Sequence, residues 1–111
     1  MPKFKFVCQV NAVAGQEEAF NDWHTKTHMP EVLAAAGFHS GQRLKLVTPD
    51  PADGTPYQYL IVYEGECADT SRALEALFKA VGENKVGNSD TLAMPSWMAV
   101  YEEIPGAIVT R

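Results

Sequence analysis

The sequence predicts an α+β fold with the element order βαββαβ, and three observations carry that expectation. Four stretches alternate apolar and polar residues at the period of a strand. Two stretches repeat apolar residues at the period of a helix, and each of these falls between strand-like segments. A composition of 46% hydrophobic and 21% charged residues is that of an ordinary globular chain. At 111 residues, 1–111 is expected to form a single domain around one core.

Residues 3 to 10 place Phe4, Phe6, Cys8 and Val10 on one side and Lys3, Lys5, Val7 and Gln9 on the other, the signature of a first strand. After a connection from Asn11 to Gly15, Glu17, Glu18, Phe20, Trp23 and Thr27 fall at helical spacing. Their acidic members sit in the first turn, where the helix dipole favours them. Pro30 has no amide hydrogen and disfavours helical geometry at Met29. The helix is therefore expected to kink or restart there, with Pro30 at a first helical position. Val32, Leu33 and Ala36 continue the apolar stripe to Gly37, a helix stop.

Phe38 to Val47 alternates again and enters Pro49-Asp50-Pro51-Ala52-Asp53-Gly54, a run of turn formers. Tyr57 to Glu64, rich in Tyr, Ile and Val, completes a hairpin. Asp69, Thr70 and Ser71 are N-cap candidates for a second helix whose face is Leu74, Leu77, Phe78 and Val81 and whose end lies near Gly82. Glu83 to Pro95 reads as polar loop, and Trp97 to Ile104 as the fourth strand before Pro105-Gly106.

This order is the ferredoxin-like split βαβ arrangement, in which right-handed crossovers place both helices on one face of a four-stranded antiparallel sheet. The other face, with Val7, Leu60 and Val62, is too apolar for water. Two such faces packing together make a homodimer the expected state, with the tail Ala107 to Arg111 reaching across to the partner.

Charge and hydropathy remove whole classes of function. The net charge is −5 and the nine Lys and Arg residues form no run, so a nucleic-acid partner is not expected. No stretch approaches the roughly 18 apolar residues of a membrane span, and the first residues lack the apolar core of a signal peptide. No membrane partner is expected, and the location expected is cytoplasmic. Cys8 and Cys67 have no spacing of a disulfide framework or zinc knuckle and read as free thiols.

The chemistry-bearing stretch is Trp23-His24-Thr25-Lys26-Thr27-His28-Met29-Pro30-Glu31. His24 and His28 are four residues apart and share a helix face, where neutral imidazoles serve as bases or ligands. A metal needs a third ligand, for which Glu31, His39 and Cys8 are the candidates, and the HExxH pattern is absent, so no metal is expected. As a base, His28 is the better placed, close to the Pro30 kink and with an ordinary pKa of about 6.5. The competing reading leaves both histidines as surface or partly buried helix residues with solvent or backbone partners. Tyr57, Tyr59, Tyr63 and Tyr101, with Trp23 and Trp97, can line a site for a flat apolar ligand, although each alone fits packing as well. Arg43 and Lys45 can hold a carboxylate or guard an edge strand. Phosphate loops, nucleophile elbows and nicotinamide fingerprints are missing, so no cofactor is expected.

The run from Asn11 to Leu33, followed by Ala36-Gly37-Phe38, resembles the dimeric α+β barrel superfamily, especially its EthD-like proteins. The shared pattern is an aromatic on the first helix, a His near a Pro, and a Gly-Phe entering the second strand. As topology the resemblance spans most of the chain, and as motif it spans residues 15 to 45. It implies a homodimer with a ligand cleft between each sheet and its own helices. It carries over His28, with Trp23 and His24 as neighbours and Tyr59 as a third candidate. The superfamily includes cofactor-free monooxygenases, isomerases, cyclases and lyases, so fold alone does not select the reaction. The function expected is a cofactor-independent isomerase or lyase acting on a small aromatic-derived or polyketide-like compound. His28, His24 and Tyr59 are its catalytic residues, and Trp23, His39, Tyr101 and Arg43 its substrate-binding ones. The alternatives are a cofactor-free monooxygenase acting on a phenol and a non-catalytic small-ligand-binding protein.

Overall fold

Alternation in the first strand decides the two faces of the sheet. A computed structural model describes residues 1–48 and 57–111 of the chain. In it, β1 (Lys3–Ala12) buries Phe4, Phe6, Val10 and Ala12 in the core and turns Lys5, Val7 and Gln9 to the opposite side. β2 (Ser40–Lys45), β3 (Tyr59–Glu66) and β4 (Leu92–Glu102) complete an antiparallel sheet of order β2-β3-β1-β4. The fold is α+β and ferredoxin-like, as expected. Phe6 pairs with Tyr63 and Val100, and Cys8 with Ile61 and Met98, which carries the helix-side face across three strands. Val7 pairs with Val62 and Ala99, and Gln9 with Leu60 and Trp97, which carries the other.

The first helical run has three parts: α1 (Glu17–Trp23), a π-helical turn (His24–His28) and α2 (Met29–Ala36). The expected restart is seen, since α2 begins at Met29 with Pro30 in its first turn, but the path does not break there, because His28 and Met29 keep right-handed helical angles. The irregularity lies one turn earlier, where the Met29 N–H reaches the His24 carbonyl. A proline ring presses on the turn before it and has no hydrogen to donate, and the wider π turn relieves both conflicts. Gly37 ends the run in left-handed geometry (φ 70°), its N–H bonded to the Leu33 carbonyl at 3.0 Å.

The second helical region begins with a 3-10 turn (Thr70–Arg72) capped by Asp69, which accepts from the Ser71 N–H at 3.0 Å. The α-helix proper, α3, runs Glu75–Gly82. Two strand boundaries also differ from expectation. β2 is shorter than Phe38 to Val47, because Phe38 turns inward against Phe4, Phe6 and Tyr63. β4 begins at Leu92 rather than Trp97 and ends at Glu102. Pro95 is tolerated because β4 is an edge strand whose pairing with β1 shifts register between Gln9 and Asn11, so its missing N–H breaks no ladder bond. The turn formers Pro49 to Gly54 lie outside the described residues.

Phe20 and Ile61 are the largest fully buried side chains, one from α1 and one from β3, and they mark the centre of the core. Strand β2 approaches the helices through Gly41, where a Cβ would stand 2.9 Å from both Met29 Cε and Tyr63 Cδ1. The helix-free face carries Val7, Leu60 and Val62 together with the exposed Leu44 and Trp97. Among the described residues, no helix is long and apolar enough to cross a membrane.

Candidate functional site

Between the helices and the sheet lies a mainly apolar cavity of about 400 Å³, floored by Phe6, Cys8, Ile61 and Tyr63. The π turn supplies its imidazoles, His24 and His28, with ring centroids 5.0 Å apart. The loop after α3 supplies Gly87 and Asn88.

His28 lies 3.2 Å from the Gly87 carbonyl through Nδ1. A carbonyl only accepts, so Nδ1 carries the hydrogen and, in the neutral ring, Nε2 keeps its lone pair. The Trp23 indole stacks on the same ring at 4.7 Å and 31° and fixes its plane. Burial holds the His28 pKa below its ordinary value, partly offset by the Gly87 bond and by Glu31. His24 is buried more deeply, against Phe20, and its Nδ1 has no hydrogen-bond partner among the described residues. Desolvation, then repulsion from His28 and Arg43, pushes its pKa down to about 3. Near neutral pH both rings are therefore uncharged. Cys8 is no nucleophile at that pH, since burial raises its thiol to about 12. Burial likewise raises the Tyr63 phenol, which stays protonated as a donor.

Of the residues expected in the site, the structure brings His28 and His24 together in the cavity and places the other five outside its lining. Tyr59 packs on Phe20, and its hydroxyl accepts from Asn21 Nδ2 at 3.1 Å. Tyr63, four residues on and so on the same sheet face, takes the lining position. Arg43 donates to Thr25 Oγ1 (3.0 Å) and Asn21 Oδ1 (2.6 Å) and lies over the Phe20 and Tyr59 rings, which ties β2 to the first helical run. Trp23 supports His28 from behind. His39 is exposed at the edge of β2, its N–H bonded to the Glu64 carbonyl at 2.7 Å. Tyr101 pairs with Lys5 and so belongs to the helix-free face. Among the described residues, no three His, Cys, Asp or Glu side chains converge as metal ligands.

Sequence reasoning missed Gly87 and Asn88, which it read as undistinguished loop, and Met94 and Met98 on β4. A backbone carbonyl leaves no trace in residue identity, so nothing in the sequence signals the Gly87 bond.

No family model matches the chain, and no curated protein matches it significantly. Solved structures do. A candidate monooxygenase from Shewanella loihica PV-4 aligns at TM-score 0.59 and 20% identity, over 94% of this chain and 97% of that one. A candidate antibiotic biosynthesis monooxygenase from Bordetella bronchiseptica aligns at 0.59 and 15%, over 94% and 99%. An EthD family protein from Bacillus halodurans C-125 aligns at 0.52 and 14%, over 94% and 100%. The chain thus shares the α+β fold of these three proteins, an EthD family protein among them, as the resemblance led us to expect.

Proposed function

We propose that the chain is a cofactor-independent isomerase or lyase that moves a proton on a small aromatic-derived or polyketide-like compound, with His28 as general base. The observation that supports this is the Nδ1–H bond from His28 to the Gly87 carbonyl in a largely apolar cavity, which leaves Nε2 as the basic nitrogen. Nε2 takes a proton from the carbon beside a substrate carbonyl, and the electron pair moves into an enolate. A neutral donor, the His24 ring or the Tyr63 hydroxyl, holds the developing oxyanion. The His28 imidazolium then returns the proton to another carbon, or the enolate expels a leaving group. The mainly apolar lining strengthens each of these hydrogen bonds.

The test is proton–deuterium exchange beside the carbonyl of a panel of lactones and 1,3-diketones, followed by NMR. Enzyme-dependent exchange that is lost in His28→Ala supports the reading, and exchange that survives the change refutes it.

A second reading rests on a separate observation, that two of the similar structures are described as monooxygenases. In it, His28 deprotonates a phenol, which reacts with molecular oxygen to give a quinone and water, the substrate supplying the electrons. Oxygen consumption on a phenol panel separates the two readings. Both take the helix-free face as a homodimer interface, the chain as one domain and the cytoplasm as its location.

A further inference from the structure

The two ends of the cavity differ in chemistry. At its deep end His24 is 4% exposed, with an Nδ1 that has no partner among the described residues, and a buried polar atom without a partner is unfavourable until one arrives. At its open end Phe78 and Val81 of α3 and Met94 and Met98 of β4 line the same cavity, yet they are 56%, 48%, 72% and 46% exposed. Large apolar side chains left half in water gain from being covered, and unbranched methionines adapt to an irregular apolar chain. The mouth is continuous with the imidazole pocket and lies on the helix side, away from the face proposed to pair with a second copy.

We propose that the ligand is an amphiphile. A hydroxyl-bearing aromatic or enol head bonds to the His24 and His28 rings, and an unbranched alkyl chain leaves between α3 and β4 over Phe78, Val81, Met94 and Met98. The head rests on the proton-transfer reading above, and the chain subsite rests on the mouth alone. At about 30 Å³ for each water-sized group, 400 Å³ holds about thirteen groups, enough for a phenolic ring and a chain of about six carbons.

The experiment measures binding of 4-alkylphenols, from phenol to 4-octylphenol, to the full chain by calorimetry, with the matching alkylbenzenes as controls. The expected affinity rises about fourfold per methylene and levels off near six carbons, with alkylbenzenes binding more weakly than their phenols. Met98→Asp should abolish the dependence of affinity on chain length, and Phe78→Gln, at the open end of the cavity on α3, provides a second variant. Affinity independent of chain length, equal binding of alkylbenzenes, or a slope unaltered in both variants overturns the proposal. So does a change in oligomeric mass in place of a lost slope, which would make the mouth a contact between copies. A normal chain-length slope combined with exchange that survives His28→Ala sinks the proton-transfer reading and leaves the chain subsite standing. A missing slope with exchange lost in His28→Ala does the reverse.

Discussion

His28 and His24 occupy one turn of helix but do different physical work. His28 is anchored through Nδ1 and keeps a basic nitrogen, so His28→Ala should lower turnover by about a hundredfold or more, as for loss of a positioned general base, with the fold intact. Its rate should fall as pH drops through an apparent pKa below the ordinary 6.5, because burial disfavours the imidazolium. His24 makes a prediction about stability. Its folded pKa of about 3 lies below the unfolded value of 6.5, so between these two pH values the unfolded chain binds a proton that the native chain does not. The stability His24 contributes is complete above pH 6.5 and is lost as pH falls toward 3. In urea titrations from pH 7 to 4, His24→Phe should flatten that decline. The i, i+4 pair itself was legible in the sequence, because helix spacing puts two such residues on one face. What makes His28 a base, the Gly87 carbonyl, was not, because every residue carries a carbonyl and only the tertiary path of the loop selects this one.

At the scale of elements, the site depends on a helix that widens at His24–His28 and on a strand that comes close to it. Gly41 permits that approach, and Gly41→Val should destabilise the chain by about 1–3 kcal/mol, read from the denaturant midpoint, since Met29 can shift but the Tyr63 ring is packed by Phe6 and Phe38. The strands with clean alternation, β1 and β3, were the most readable. β4 was misread at its start because a proline and polar neighbours imitate a loop, whereas an edge position beside a register shift accepts them. The site residues that failed expectation divide by face. Tyr101 falls on the wrong side of β4, and Tyr59 and Arg43 share a network with Asn21 that spacing along the chain does not reveal.

For the whole molecule, the apolar helix-free face is the feature that most needs a partner. The proposed homodimer predicts a mass near twice the monomer by light scattering at micromolar concentration. Val62→Lys, beside Val7 on that face, should shift the mass toward the monomer, because an unpaired charge is poorly tolerated in a buried interface. The fold was legible because element order and alternation together permit few topologies, and the cavity was not, because it is formed by side chains from six separate segments. The central claim is a neutral His28 with its proton on Nδ1, and nitrogen-detected NMR of the labelled imidazoles tests it most directly. The predicted result is the Nδ1–H tautomer at pH 7 with a titration midpoint below 6.5; a charged ring at pH 7, or a proton on Nε2, would contradict it.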